Sequence, residues 1–266
     1  MQIEVIIEKK SHKLNAEEGK TILETLQEHG IHVLTAPCGG RGRCGKCTVE
    51  VEHMGEVLAC MTKVTDGMRI TIPKVQLRAQ KSKIAENGTV THYPADDGEG
   101  LDAACDIGTT TVVCHLIDGK TGEKLATVSE PSAQRSFGAD VLSRIQAAEA
   151  GKLEILKEQI IFQIAQMLRT LQKKTGRGEQ IQRLAVVGNT VMCHLFAGIS
   201  PVSIGVTPFM PQEFFGKEYT GEQLGLTDCR SVYIAPAVAG FVGGDITSDL
   251  LAVMQKKPKD KVLLLD

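Results

Sequence analysis

Several features that mark common classes of protein are scarce in this chain of 266 residues. It has no tryptophan and only 4% aromatic residues, so it offers no stacking platform for bases or sugars. Its net charge of −2 argues against nucleic acid or an anionic membrane surface as the main partner. No hydrophobic run approaches the roughly 18 residues that a membrane helix needs. Residues 1–10 alternate like a strand and do not resemble a signal peptide. The sequence therefore predicts a cytoplasmic protein without a membrane or nucleic-acid partner.

Cysteine, in contrast, is concentrated in one stretch. Four of the eight cysteines lie between positions 38 and 60. Without a secretory signal, clustered cysteines indicate metal ligands rather than a disulfide framework. The other four, which lie mostly in apolar runs, are predicted to be small buried hydrophobic residues. These are Cys105, Cys114, Cys193 and Cys229.

The clustered cysteines follow the spacing C-x5-C-x2-C-x12-C. They are Cys38, Cys44, Cys47 and Cys60, and four glycines lie among the first three. A two-iron cluster takes four thiolates, and glycine lets backbone N–H groups approach its sulfides. The spacing is close to the plant-type C-x4-C-x2-C pattern. A four-cysteine zinc site is the alternative, but such sites usually pair two C-x2-C knuckles. We therefore predict a [2Fe–2S] cluster that carries single low-potential electrons.

Basic residues surround this loop at Arg41, Arg43 and Lys46. They could dock an acidic redox partner or hold the anionic cluster electrostatically. A solvated basic loop without a specific role is the alternative, and the sequence leaves the choice open.

The pattern of apolar residues predicts two domains and a linker. Residues 1–78 run strand, strand, helix, loop, strand, strand, which is the order of an α+β β-grasp ferredoxin domain. Residues 79–100 are polar and turn-forming, and we interpret them as a linker. From residue 101 to residue 266, β-rich and helical segments alternate, as expected of an α/β domain. A helix is predicted at Asp140–Ala150, and apolar residues at three- and four-residue intervals from Leu153 to Leu171 predict a long helix.

A tight turn near the start of the second domain has the residues of a phosphate site. The hexapeptide Asp106–Thr111 predicts a strand, a turn and a second strand. Gly108 would let the backbone turn beneath a phosphate, while Thr109 and Thr110 would donate hydrogen bonds to it. Asp106 would reach the accompanying metal ion or its water. The Walker A motif of P-loop ATPases is absent from the sequence.

This turn resembles the first phosphate-binding hairpin of the superfamily that contains acetate and sugar kinases, Hsp70 and actin. Three further segments are Phe137–Val141 leading into Ser143–Ile145, Val187–Met192 followed by Pro208 and Phe209, and Pro236–Ile246. Together with the ferredoxin-type domain, these segments resemble the reductive activators of corrinoid proteins.

The resemblance implies an actin-like (ribonuclease H-like) ATPase domain that uses ATP with Mg²⁺. It implies one-electron reduction of cobalt from Co(II) to Co(I) in a corrinoid protein or corrinoid-dependent methyltransferase. The [2Fe–2S] cluster would relay the electron from a low-potential donor. By the same resemblance, Asp106 handles the metal or water, and Gly188, Asn189 and Thr190 line the phosphates. Asp245 is a candidate second acid, with a helix N-cap as its alternative role.

Two other functions stay open at this point. The chain could be a stand-alone electron carrier whose actin-like part only docks, or an activator of a radical dehydratase. A homodimer is also open. The last six residues form an apolar run closing on Asp266, as Leu101–Asp106 does. We therefore expect a fragment that holds the first actin-like lobe and lacks the second phosphate loop and the adenosine-binding lobe.

Overall fold

The computed structural model describes residues 1–73, 93, 98–255 and 262–263 of the chain. By their contacts the residues form two compact units. The first combines Met1–Lys83 with Ala133–Ala147, and the second combines Ile84–Ser132 with Ala148–Asp266. The chain therefore leaves the second unit after Ser132 and re-enters it at Ala148.

Among its described residues, the first unit contains a five-stranded mixed sheet and two short α-helices. Its elements are β1 (Gln2–Ile7), β2 (Lys10–Asn15), α1 (Ile22–Glu28), β3 (Thr48–Val51), β4 (Gly55–Leu58), β5 (Arg69–Thr71) and, after the second entry of the chain, α2 (Val141–Ala147). The strand order is β2-β1-β5-β3-β4. Strands β1 and β5 are parallel and the other pairs are antiparallel. The predicted β-grasp fold is confirmed.

Apolar side chains from the sheet and α1 form the core of this unit. Val5, Ile22, Leu26 and Ile70 are fully buried. Helix α1 begins at a capping box, in which Thr21 accepts from the backbone of Glu24 and the Glu24 side chain accepts from the backbone of Thr21. The capping box fixes the start of the helix beside the cysteine-rich loop that follows in the chain.

The second unit is built on a six-stranded sheet in the order β10-β11-β9-β6-β7-β8. Its strands are β6 (Leu101–Ile107), β7 (Thr111–Asp118), β8 (Lys124–Pro131), β9 (Ile181–Val187), β10 (Lys217–Thr220) and β11 (Cys229–Ile234). Strands β6, β9 and β11 are parallel to one another, and β7, β8 and β10 pair antiparallel. The carboxyl ends of the three parallel strands therefore meet at one edge of the sheet.

Helices complete the second unit. They are α3 (Leu153–Thr175), α4 (Thr190–Ala197), α5 (Gly221–Leu224) and α6 (Gly244–Gln255). The apolar stripe predicted for α3 is buried, with Leu156, Ile160, Ile164 and Leu171 all fully inaccessible. The α/β character predicted for this part of the chain is confirmed. None of the described helices is long and apolar enough to span a bilayer.

Some boundaries differ from the sequence prediction. The helix expected at Asp140–Ala150 ends at Ala147, and a π-helical turn with a kink at Ala150 and Gly151 precedes α3. Strand β10 and helix α5 were not predicted, because each has only four residues and shows too little periodicity. Most of the predicted linker, and Asp266, lie outside the described residues.

Candidate functional site

The four clustered cysteines are brought together in the first unit as two pairs. Cys38 lies close enough to Cys44, and Cys47 close enough to Cys60, for one thiol of each pair to shift the pKa of the other. Cys47 and Cys60 are buried, whereas Cys38 and Cys44 are partly exposed. Among the described residues, no three acidic, histidine or cysteine side chains form a site for a single ion. Two pairs of thiols match the two thiolates that each iron of a two-iron cluster requires.

Backbone N–H groups of the loop lower the pKa of Cys38 and oppose the rise in the pKa of Cys60. Burial works to raise the pKa of the Cys38 thiol. Hydrogen bonds from the Cys44 thiol and from the N–H groups of Cys44, Arg43 and Arg41 outweigh it and lower the pKa to about 6. Burial and the neighbouring Cys47 thiol raise the pKa of Cys60 to about 12, against a hydrogen bond from the Gly42 N–H. Donors aimed at sulfur stabilise thiolates and bridging sulfides, so the residues present fit an iron–sulfur cluster.

The glycines explain how the loop reaches this geometry. Gly39, Gly40, Gly42 and Gly45 have φ angles of +64°, +82°, +71° and +64°. A side chain in this left-handed region costs about 1 kcal/mol. At Gly42, a Cβ atom would also lie 2.8 Å from the Met61 sulfur.

Cys60 is held in place by the elements on either side of it. The N–H of Ala59 donates to the carbonyl of Cys47 (2.9 Å), and the carbonyl of Ala59 accepts from the N–H of Leu23 (3.0 Å). The first turn of α1 and the start of β3 therefore fix the distant fourth cysteine beside the third.

Residues 133–147 pack against the cysteine loop within the first unit. The buried Gln27 side chain donates to the carbonyl of Ser136 (2.9 Å). The N–H of Ala139 donates to the carbonyl of Pro37 (3.2 Å), which directly precedes Cys38. A Cβ atom on Gly39 would lie 3.3 Å from the carbonyl oxygen of Phe137. In the sequence this segment stands out only by its resemblance to the activator family, and no local pattern predicts its place beside the cysteine loop.

A buried arginine braces the same segment. Arg144 is fully inaccessible, and its guanidinium lies 3.3 Å from Oε1 of Gln134 and 3.5 Å from the carbonyl of Gly138. Burial lowers the pKa of Arg144 to about 10, while the charge of Asp140 opposes this effect. The guanidinium is therefore still protonated at neutral pH.

The second unit places the predicted phosphate turn at the carboxyl end of β6. A Cβ atom on Gly108 would lie 2.6 Å from the carbonyl oxygen of Thr111, so the turn is too tight for any other residue. The amide of Asn189 donates to the hydroxyl of Thr109 (3.0 Å) and joins this turn to the loop after β9. The carbonyl of Thr110 accepts from the N–H of Ser132 (2.8 Å).

The loop after β9 is packed between two neighbours. A Cβ atom on Gly188 would lie 2.6 Å from the Ile107 side chain, and one on Gly243 would lie 2.5 Å from the backbone of Asn189 and Thr190. The Thr190 hydroxyl donates to the carbonyl of Ala239 (2.6 Å). The side chain of Asn189 also caps α4 by accepting from the N–H of Met192 (3.0 Å). Three loops, after β6, β9 and β11, therefore meet at one edge of the sheet.

The two candidate acids lie near this junction. Burial raises the pKa of the Cys193 thiol, and the charges of Asp245 and Asp106 raise it further, so both carboxylates lie within electrostatic reach of the same sulfur. The N–H of Asp245 donates to the carbonyl of Gly188 (3.2 Å). Asp245 is the second residue of α6, not the residue before the helix, so its position does not fit the alternative role of N-cap.

Comparison with known proteins decides the family. Residues 101–257 match the family model described as "RACo middle region". The chain belongs to the reductive activators of corrinoid proteins. Residues 4–74 match the "2Fe-2S iron-sulfur cluster binding domain", which confirms the predicted type of cofactor domain.

Two relatives of this activator family are similar over most of the chain. "Corrinoid activation enzyme RamQ" of Eubacterium limosum is 27% identical, over 87% of this chain and 52% of its own length. The solved "Reductive activator for corrinoid,iron-sulfur protein" has a TM-score of 0.57 and 24% identity, over 97% of this chain and 59% of its own. This activator chain therefore spans between half and three-fifths of the length of either relative. The individual cysteine ligands and phosphate-site residues stay predictions.

Proposed function

We propose that this protein catalyses the ATP-dependent, one-electron reduction of a corrinoid protein from Co(II) to Co(I). The observation that carries the proposal is that one chain holds a ferredoxin-type cysteine loop and three converging loops suited to phosphate. The partner would be a corrinoid protein or a corrinoid-dependent methyltransferase, as the names of the two relatives suggest. We retain the domains 1–78, 79–100 and 101–266 as part of this proposal.

Energetics explains why both sites are needed. A plant-type cluster works near roughly −400 mV, and the Co(II)/Co(I) couple of a resting corrinoid lies below what such a donor readily supplies. Each deficit of about 59 mV lowers the equilibrium constant of a one-electron transfer tenfold. ATP binding and hydrolysis would supply the missing free energy by changing the conformation of the complex.

In the first unit, Cys38, Cys44, Cys47 and Cys60 would hold the [2Fe–2S] cluster, which carries one electron at a time when bound. The N–H groups that surround Cys38 would stabilise the negative charge of the cluster and its ligands. Arg41, Arg43 and Lys46 are exposed around the loop and would face an acidic electron donor or corrinoid partner.

In the second unit, the backbone of Gly108 and the hydroxyls of Thr109 and Thr110 would bind the phosphates. Gly188, Asn189 and Thr190 would line the opposite side, since Asn189 holds Thr109 and opens α4 toward the site. Asp106 and Asp245 would hold Mg²⁺ or its water.

The test is anaerobic reduction of a purified Co(II) corrinoid protein by the iron-reconstituted chain, with dithionite as donor. The loss of the Co(II) absorbance is followed with Mg-ATP, without it, and with a non-hydrolysable analogue. We expect rapid reduction only with Mg-ATP, no reduction by Cys60→Ser, and no effect of ATP on Asp106→Asn. Equal rates with and without ATP would contradict the proposal and favour the stand-alone electron carrier.

A further inference from the structure

We call Ala133–Ala147 the connecting segment. It contacts the cysteine loop, and the residue directly before it is hydrogen-bonded to the phosphate turn. The residue directly before it, Ser132, belongs to the second unit and donates its N–H to the carbonyl of Thr110 in the phosphate turn (2.8 Å). Ser132 is itself fully buried. This hydrogen bond therefore joins the turn to the last residue of the second unit before the chain leaves it.

The connecting segment then contacts the cysteine loop within the first unit. The carbonyl of Ser136 accepts from Gln27, and only three residues separate Ser136 from Ser132. Further along, Ala139 donates to Pro37, which is bonded covalently to Cys38. A displacement of the segment would change the position of the first cysteine, because Pro37 offers little backbone freedom.

The connecting segment is held together by contacts among its own residues. Arg144 lies against both Gln134 and Gly138 across the segment, and Phe137 and Ser136 are buried. A Cβ atom on Gly138 would lie 2.2 Å from that of Ser143, so α2 is packed directly on the preceding loop. Close packing transmits a displacement because the interior has no space to absorb it.

We propose that the connecting segment couples the phosphate turn Gly108–Thr110 to the cysteine loop, so that a change at the turn alters the surroundings of the cluster ligands. This inference rests on the proposed function only where it places ATP at the turn. Reciprocity requires the reverse effect, in which loosening the cysteine-loop contacts alters the turn.

The first experiment perturbs the turn and measures the cluster. In the iron-reconstituted chain, Gly108→Ala must displace the turn, since its Cβ would lie 2.6 Å from a backbone oxygen. We expect a changed visible circular dichroism and a changed EPR spectrum of the reduced cluster. Gly178→Ala is the matched control in the same unit, because no atom lies within 4 Å of its Cβ, and it should leave both spectra unchanged.

The second experiment works in the opposite direction and needs no ligand at either site. Gln27→Leu removes the hydrogen bond to Ser136, and we expect amide hydrogen exchange at Ser132 to become about fivefold faster, the equivalent of one hydrogen bond. Gln172→Leu removes a similar bond to the carbonyl of Glu179 and is the control that should leave Ser132 unchanged.

The double variant identifies the route. If the connecting segment carries the effect, Gly108→Ala should no longer alter the cluster spectra in the Gln27→Leu background. Unchanged exchange at Ser132 in Gln27→Leu, or a spectral effect of Gly108→Ala that persists in the double variant, would overturn the inference. None of these readouts uses ATP, so a failure here leaves the proposed reaction standing, and a failure of ATP-driven cobalt reduction leaves the coupling standing.

Discussion

The Asn189 side chain caps α4 and also binds the phosphate turn, and substitutions can test these two hydrogen bonds separately. Its Oδ1 accepts from the N–H of Met192 and caps α4, while its Nδ2 donates to the hydroxyl of Thr109 in the phosphate turn, both at 3.0 Å. Asn189→Ala loses both bonds. Thr109→Val loses only the second, and Asn189→Asp keeps the cap, because a carboxylate also accepts from N–H groups.

The expected magnitudes follow from these bonds. Loss of an N-cap costs about 1 kcal/mol, and loss of a partly buried hydrogen bond costs about another 1 kcal/mol. We therefore expect Asn189→Ala to lower the free energy of unfolding of the second unit by about 2 kcal/mol, and Thr109→Val by about 1 kcal/mol. The double variant should fall short of their sum by about 1 kcal/mol. Asn189→Asp should stay close to the parent in stability but weaken ATP binding tenfold or more, because its charge would face the phosphates.

Urea unfolding followed by tyrosine fluorescence measures these changes in the second unit alone. The chain has no tryptophan, and its three tyrosines, Tyr93, Tyr219 and Tyr233, all belong to that unit. Full additivity of Asn189→Ala and Thr109→Val would refute the link between the two loops. A loss of stability in Asn189→Asp as large as that in Asn189→Ala would refute the capping role.

Three further predictions concern the first unit. Gly42→Ala and Gly55→Ala both place a side chain at a φ near +70°, so each should lower the free energy of unfolding by about 1 kcal/mol. Only Gly42→Ala crowds Met61, and only this variant should reduce the iron and sulfide content. Cys60→Ser should abolish cluster retention, whereas Cys229→Ser, in the second unit, should retain stoichiometric iron; equal iron in both would exclude Cys60 as a ligand. Burial lowers the pKa of His32 from 6.5 to about 4, so the unfolded chain binds the proton first as the pH falls. The contribution of this neutral imidazole to stability is complete above pH 6.5 and is lost as the pH falls to 4, a change of about 3 kcal/mol. Denaturant titrations should show that His32→Gln reduces this dependence of stability on pH.

The sequence was sufficient to predict features that depend on residues close together in the chain. The cysteine spacing and the interspersed glycines predicted the cluster loop, since a two-iron cluster needs four thiolates and close N–H donors. The apolar stripe from Leu156 to Leu171 predicted α3, because a helix buries one residue in every three or four. Four-residue elements such as β10 were missed, because so short a segment shows no clear period.

Contacts between loops that are far apart in the sequence could be predicted only in general terms. The turn at Gly108 and the loop at Gly188 were assigned to one phosphate site by resemblance, and the structure brings them together through Asn189 and Thr109. The role of Gly243, which packs on the backbone of that loop, carries no local signal. A tight approach of two backbone segments depends on both segments, and the sequence around one glycine does not indicate which distant segment packs against it.

The amino-acid sequence by itself determined the β-grasp order of strands and the alternation of strands and helices from residue 101 onward, and it predicted the four cysteine ligands. Each of these depends on residue types a few positions apart. Only the tertiary structure decided that residues 133–147 leave the unit that surrounds them in sequence and pack beside Pro37 and Cys38. The contacts responsible are hydrogen bonds to backbone carbonyls, such as that of Gln27 to Ser136. Every residue has such a carbonyl, so no sequence pattern identifies the one that a distant side chain will reach.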